Sequence, residues 1–452
     1  MERSMAVCPR IGSIAFIFAA LSLAACGGGG GGASRLPAYT IGGILFGLAA
    51  GQQVVLQDNQ TDSLTLSADG AFTFKTAVAA NGGYSVSVAT QPTGQTCTVA
   101  NATGTVVMAD VTTVTVVCAA LPKYAYVVNN GDNTVSQYTI SAAGELTPMA
   151  VATVATGTSP QSVTVDPTSR YVYVSNKSDN TVSQYTIAAD GSLTPMMPAT
   201  VVTGVAPWAV AVDPKGAFAY VLDSSDRTIS QFTIGAGGGL TPITPATVPT
   251  GTKPWSITID PAGHYAYVGN MSDNTVSQYS IAANGALTPL NPATVTSGAG
   301  PTGVAVDPMS RYAYVANLSD NTVSQYTIGM DGVLAPQSPA TAGTGAQPVY
   351  IAVDPTATNT YVANNSVAGA GTISQFKIGT GGALAPMTTP TVATGKGPAW
   401  IALDPAAQYA YVVNITDNTV SQYAVAADGS LVPLSIATVQ TGTKPFVIAL
   451  VR

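Results

Sequence analysis

A seven-residue phrase, DNTVSQY, recurs along the chain at Asp132–Tyr138, Asp179–Tyr185, Asp273–Tyr279, Asp320–Tyr326 and Asp417–Tyr423. Variants read DRTISQF at Asp226–Phe232 and GTISQF at Gly371–Phe376. The glutamines of these phrases, Gln137, Gln184, Gln231, Gln278, Gln325, Gln375 and Gln422, stand 47 residues apart except for one step of 50. A unit of that length is one supersecondary motif, and it buries its apolar faces only by packing on its neighbours. Alternating β-branched and aromatic residues mark its segments as strands. Seven copies of an all-β unit predict a closed toroid of sheets, a seven-bladed β-propeller.

The unit Pro160–Gly204 shows how one blade is written. Strand a is read over Pro160–Val165 and ends at Asp166-Pro167, because proline stops ladder pairing and Asp favours a turn. Strand b follows over Tyr171–Asn176 and strand c over Thr181–Ala188; Asp190-Gly191 turns the chain into strand d, roughly Leu193–Thr203. The hairpin glycine recurs at Gly144, Gly191, Gly239 (or Gly238), Gly285, Gly332, Gly382 and Gly429. The first unit enters at strand b, Tyr124–Asn129, and the chain finishes with a lone strand a, Pro445–Val451. The last segment is therefore expected to complete the first blade, which leaves no open edge in the ring. Asp166, Asp213, Asp260, Asp307, Asp354 and Asp404 read as turn formers after strand a. Asp132, Asp179, Asp226, Asp273, Asp320 and Asp417 are expected to close the b–c hairpins by side chain–backbone hydrogen bonds. The repeated glutamine is expected to satisfy buried backbone groups between strands.

The propeller is assigned to residues 120–452, and what precedes it differs in kind. Arg3, Arg10 and the apolar run Ile11–Leu23 form an export signal over residues 1–25, too short to span a bilayer stably. It ends in Leu23-Ala24-Ala25-Cys26, which resembles the lipobox of bacterial lipoproteins and makes Cys26 the expected lipid acceptor. Residues 26–38 form a tether, flexible through Gly27–Gly32. Glycine after the acceptor cysteine resembles the pattern sorted to the outer membrane. The expectation is a lipid-anchored protein of the bacterial cell envelope, on its periplasmic or surface face. Residues 39–119 alternate at Ala71–Lys75, Tyr84–Val88 and Val111–Val117, between turn signals such as Asn81-Gly82-Gly83. They are read as a small β-sandwich stapled by a Cys97–Cys118 disulfide, resembling the immunoglobulin-like or prealbumin-like modules of surface lipoproteins, with a spacer or docking role. Two thiols with no nearby histidine leave zinc short of ligands, so no metal site is expected.

Charged residues make up 8% of the chain, net charge is −7 and no Lys/Arg run exists, which argues against nucleic-acid binding. No phosphate-binding or dinucleotide fingerprint stands in a strand–helix context, so no cofactor is expected.

The pattern P-x-x-V-x-V-D-P, then Y-V-Y-V-x-N, then T-V-S-Q-Y resembles the seven-bladed lactonase-type propellers, which include bacterial 6-phosphogluconolactonases. It is similar also to surface-layer propellers built on a Tyr-Val-x-Asn repeat. The resemblance implies a ligand site at the mouth of the central channel and, as one function, hydrolysis of a sugar lactone. The ionisable groups that lactonase relatives are expected to use there find no counterpart. The one histidine, His264, falls in an a–b turn, and Glu145, the one glutamate after the signal, falls in a c–d loop. Both belong to the face opposite the expected mouth.

Residues that break the sevenfold repeat gather on the d–a and b–c loop face instead. Trp208, Trp255 and Phe446 directly follow the prolines that open strand a, and Tyr350 and Trp400 come one residue later. Lys253, Lys396 and Lys444 lie in d–a loops, and Lys177 and Arg227 in b–c loops. The b–c loop of the sixth unit, Asn365–Gly371, is three residues longer than the others. Aromatic faces with a few cations could hold a sugar, a lactone or an anionic ligand, or a protein ligand at the channel mouth; the other reading is that the rings plug the channel and the cations solvate loops. A binding or scaffolding propeller is the first functional expectation, with lactone hydrolysis as the alternative.

Overall fold

The computed structural model describes residues 37–92, 94–120, 123–365 and 369–451, and all regular structure among them is β-strand. The signal, Cys26 and the glycine tether lie outside the described residues.

Each repeat forms one four-stranded antiparallel sheet. In blade 2 the strands are Pro160–Val165, Tyr171–Asn176, Thr181–Ile187 and Leu193–Val202, paired in chain order. Blades 3 to 7 repeat this, and their innermost strands, Pro207–Val212, Pro254–Ile259, Pro301–Val306, Pro348–Val353 and Pro398–Leu403, lie against one another around the axis. Blade 1 takes its strands b, c and d from Tyr124–Asn129, Thr134–Ile140 and Leu146–Ala155, and its strand a from the far end of the chain. Pro445–Val451 pairs antiparallel with Tyr124–Asn129, with Tyr124 opposite Val451 and Val127 opposite Ile448. Lys123 N–H donates to the Val451 carbonyl at 3.0 Å, so the two ends of the ring meet.

Two repeated side chains lock blade to blade. Opposite each glutamine, strand d bulges; in blade 2 the register slips between the pairs Ser183–Thr200 and Tyr185–Pro195. Gln184 fills that gap. Its amide donates to the Pro198 carbonyl at 3.2 Å and its Oε1 accepts from Leu240 N–H of blade 3 at 2.7 Å. The same bridge runs from every blade to the next, and Gln422 closes the circle by accepting from Leu146 N–H at 2.6 Å. The buried tyrosine of strand b also reaches the next blade. Tyr126 donates to the Gly191 carbonyl at 2.5 Å, and the series ends with Tyr411 donating to Gly144 at 2.8 Å. Gly191 has φ +85°, and a Cβ there would stand 2.4 Å from the Tyr124 ring, so the position admits no side chain. In the third unit this role falls to Gly238, with φ +82°, rather than Gly239.

The aspartates after strand a act as expected: Asp166 Oδ1 accepts from the Arg170 and Tyr171 N–H groups at 2.7 and 2.6 Å. The aspartates of the repeated phrase do not close the b–c hairpins. Asp179 Oδ2 instead accepts from Thr158 N–H in the preceding d–a loop at 2.6 Å, and Asp132, Asp226, Asp273, Asp320 and Asp417 hold Thr443, Val205, Thr252, Ala299 and Lys396 alike. The d–a loop has backbone N–H groups with no ladder partner, and a carboxylate one blade on satisfies them more directly than its own hairpin would use it. Asn133, on the other side, accepts from Ser159 N–H at 2.8 Å. The d–a loops ahead of blades 1, 2, 3 and 5 are thus clamped between two blades.

Strand d forms the rim, and its side chains are largely exposed. With few charges available to guard these edges, prolines do so: Pro195 and Pro198 in blade 2, Pro242 and Pro245 in blade 3, Pro289 and Pro292 in blade 4.

The residues before the propeller form two four-stranded sheets around one core that includes Ile41, Leu45, Val54, Leu56, Phe72, Phe74, Val114 and Val116. Ile41–Phe46 runs parallel to Val111–Ala120, a long-range pairing that local alternation does not signal. Cys97 and Cys118 face each other across an antiparallel pair, Cα atoms 3.9 Å apart, and are disulfide bonded.

Candidate ligand-binding site

Proline opens every strand a, and Pro160 pairs with Asn176 ahead of a local register slip that repeats in the other blades. The next two positions stand at the channel mouth, where the blades differ. From blade 1 to blade 7 the first position holds Phe446, Gln161, Trp208, Trp255, Thr302, Val349 and Ala399; the second holds Val447, Ser162, Ala209, Ser256, Gly303, Tyr350 and Trp400. Bulky rings take the first position in blades 1, 3 and 4 and the second in blades 6 and 7. Gly303 belongs to this arrangement, because a Cβ there would approach the Tyr350 ring to 3.3 Å and the Tyr350 Cα to 3.0 Å.

The rings assemble into two groups. Trp208 and Trp255 pack with centroids 4.6 Å apart, and Phe446 meets Trp208 edge-on at 5.7 Å. Tyr350 and Trp400 stack at 3.5 Å with planes 23° apart. All five are half-buried and line a single cavity of about 250 Å³. Its wall is completed by strand-a residues including Ser162, Ser256, Thr258 and Thr302, and by Leu318, Asn365 and Ile415. The last three occupy one equivalent place, the residue just after strand b, so the b–c loops overhang the mouth. Asn365 begins the long loop of blade 6. The channel mouth is therefore neither open nor filled: the rings narrow it and leave a pocket.

Of the cations expected here, Lys177 alone reaches the rings. It occupies the same overhanging place in blade 2, and its Nζ sits 5.1 Å from the Trp208 centroid. Arg227, Lys253, Lys396 and Lys444 are exposed and do not line the cavity. Arg227, Lys253 and Lys444 adopt left-handed backbone angles, φ +59°, +54° and +50°, as turn residues do. No Asp, Glu, His, Lys or Arg stands among the described residues that line the cavity. His264 is exposed in the a–b turn, its N–H held by Asp260 at 2.6 Å. Glu145 accepts from Ser435 Oγ at 2.6 Å in its c–d loop. Among the described residues no group of three or more His, Cys, Asp or Glu could hold a metal.

The polar wall was not foreseen from the sequence, apart from the loop that begins at Asn365. Most of its hydroxyls are spent on the blade seams. Ser256 Oγ donates to the Thr302 carbonyl and accepts from Val304 N–H at 3.2 Å; Thr258 donates to the Val304 carbonyl; Thr302 donates to the Ala316 and Pro348 carbonyls at 3.2 and 3.3 Å. Tyr350 is different. Its hydroxyl has no hydrogen-bond partner among the described residues, and burial pushes its pKa above the usual phenol value, so it stays an O–H donor.

These features sit on a known framework. Residues 116–253 and 229–444 match the family described as "Lactonase, 7-bladed beta-propeller". The chain belongs to that family. Among solved structures it is similar to a Bacteroides fragilis protein provisionally assigned as a 6-phosphogluconolactonase, at 19% identity and TM-score 0.63, over 73% of this chain and 98% of the other. It is similar also to the periplasmic gluconolactonase PpgL of Pseudomonas aeruginosa, at 18% identity and TM-score 0.60, over 73% and 99%. A Lactobacillus plantarum protein aligns at 18% identity and TM-score 0.62, over 74% and 100%. At these identities the likeness is one of fold. No curated protein sequence matches the chain.

Proposed function

We propose that this lactonase-family propeller is a binding module that holds a small ring compound, a sugar or a lactone, in the aromatic cavity at its channel mouth. One observation carries the reading: in a ring otherwise built by repetition, five unrepeated aromatic side chains converge on one cavity. Flat apolar rings suit the C–H faces of a cyclic ligand. Titration calorimetry of the full chain with glucono-δ-lactone and with simple hexoses tests it. Binding that weakens at least about tenfold in Trp208→Ala/Trp255→Ala, a loss of roughly 1.4 kcal/mol, is expected. Saturable binding that the double variant leaves unchanged would place the ligand elsewhere.

Family membership favours a second reading, hydrolysis of a sugar lactone. Against it stands the cavity wall, whose described residues offer hydroxyls and an amide but neither carboxylate nor imidazole to take a proton from water. Turnover of a lactone panel that is lost with Tyr350→Phe or Ser162→Ala would establish the enzyme.

We further propose that the mature chain is tethered through lipid on Cys26 to an envelope membrane, with the disulfide-bonded β-domain as a spacer. An acyl chain contributes about 0.8 kcal/mol per buried methylene, so multiple chains would hold it firmly. Cys26→Ser should move the protein from the detergent phase to the aqueous phase on phase separation. Unchanged partitioning would remove the anchor.

A further inference from the structure

The five rings say that the ligand has a flat apolar face; the rest of the wall says what else it carries. We propose that the cavity takes one uncharged, monosaccharide-sized ring and reads its oxygens with two groups on well-separated blades, the Tyr350 phenol and the Ser162 hydroxyl. This rests on the binding reading above and narrows it to a ligand class.

Size sets the first limit. Pockets for drug-sized ligands run from about 300 Å³ upward, so about 250 Å³ suits a single hexose-scale ring and not a chain of them. Charge sets the second. A phosphoryl group taken out of water needs charge-assisted donors. None of the described wall residues supplies one, and the nearest ammonium, Lys177, lies over Trp208 without lining the cavity. A phosphorylated sugar lactone would have to bury its dianion against Trp, Tyr, Ile and Val side chains.

Hydrogen-bonding capacity sets the third. Ser256, Thr258 and Thr302 have committed their hydroxyl protons to carbonyls of adjacent strands. Ser162 is 6% exposed, accepts only a long 3.5 Å contact from Val210 N–H, and its own proton has no acceptor among the described residues. Tyr350 is likewise without a partner, on blade 6, and Ser162 is on blade 2. A buried hydroxyl proton left without an acceptor, as at Ser162, costs about 1–3 kcal/mol, and a ligand oxygen would recover that; the half-buried Tyr350 hydroxyl offers a second free donor. Two donors set apart around an apolar box favour a ring bearing acceptor oxygens at separated positions, as in a lactone with its carbonyl and a hydroxyl.

Calorimetry with three probes separates the possibilities: glucono-δ-lactone, the 6-phosphate of the same lactone, and cyclohexanone as a ring of similar shape with one acceptor. The uncharged lactone should bind at least about tenfold more tightly than its phosphate. Tyr350→Phe keeps the stacking on Trp400 and removes one donor; Ser162→Ala removes the other. Each should weaken the lactone about five- to twentyfold, and Ser162→Ala should change cyclohexanone less than twofold if Tyr350 holds its carbonyl. Equal or tighter binding of the phosphate overturns the charge selection. Lactone binding that depends on Trp208 and Trp255 but not on Tyr350 or Ser162 overturns this proposal and leaves the aromatic site standing. No binding of any probe at millimolar concentration overturns both. The variants' melting temperatures, expected within a few degrees of the parent, guard against loss of fold.

Discussion

At the residue scale, the informative positions are those where one blade departs from the other six. The end of strand b holds Asn129, Asn176, Asn270, Asn317, Asn364 and Asn414, whose amides donate to a Thr and a Ser of strand c; Asn176, for instance, reaches Thr181 and Ser183 at 3.0 and 2.9 Å. Blade 3 has Asp223 instead. It is fully buried, it accepts from Ser230 Oγ at 2.6 Å, and its Oδ1 has no partner among the described residues. Burial, with the nearby Asp226 charge as a lesser cause, pushes its pKa up to about 6. A carboxyl whose folded pKa lies above its unfolded value near 4 stabilises the fold below that value, and the contribution is lost as pH rises through 6. The loss is at most about 3 kcal/mol. Asp223→Asn should therefore raise the melting temperature at pH 7.5 and change it little at pH 4. Asp404 is shifted the same way, so the difference between parent and variant, not the parent's profile alone, is the readout. An equal gain at both pH values would show that charge burial is not the cause.

The same scale shows what the sequence could and could not announce. Glutamine, tyrosine, aspartate and glycine repeat because each plays the same part in successive blades, and repetition is visible in one dimension. The rings at Trp208, Trp255, Tyr350, Trp400 and Phe446 were legible because they break a repeated context after proline. Ser162, Thr302, Leu318 and Ile415 were not. They differ from most of their equivalents too, but small polar and aliphatic side chains look like ordinary strand or loop filler until the channel gives them a shared wall. Comparing the residue after strand b across the blades, from Asn130 and Lys177 to Asn365 and Ile415, would have found the overhang. Asp179 was misread because its partner, Thr158, lies 21 residues back, in the preceding d–a loop.

At the scale of elements, the bulged strand d and its glutamine form one device. Gln278 donates to the Pro292 carbonyl at 3.1 Å inside its own blade and accepts from Leu334 N–H of the next at 2.7 Å. Gln278→Leu keeps the volume but strands both groups in a buried seam. Two unpaired buried groups cost about 2–6 kcal/mol. Chemical denaturation should show a lower midpoint, with the loss concentrated in amide exchange at Leu334. Protection at Leu334 equal to the parent's would mean that the seam is held by packing alone.

At the scale of the molecule, the ring depends on residues more than 300 positions apart. The closing strand gives Tyr124–Asn129 its inner partner, and Gln422, Tyr411 and Asn418 tie blade 7 to blade 1 by bonds to Leu146, Gly144 and Lys444. Deleting residues 445–452 removes Phe446 from the cavity and opens an edge along Tyr124–Asn129. The propeller should then melt earlier and aggregate, and the variant should bind no ring ligand. A truncated protein with an unchanged transition would contradict closure by this strand.

The role proposed for the irregular mouth of this otherwise regular ring is to hold one ligand. A crystal of the full chain soaked with glucono-δ-lactone tests this most directly. Density for a single ring between the Trp208–Trp255–Phe446 group and the Tyr350–Trp400 pair, with an oxygen near the Tyr350 hydroxyl, is the predicted result. A ligand found only at another face, or a mouth that stays unoccupied while calorimetry reports saturation, would contradict it.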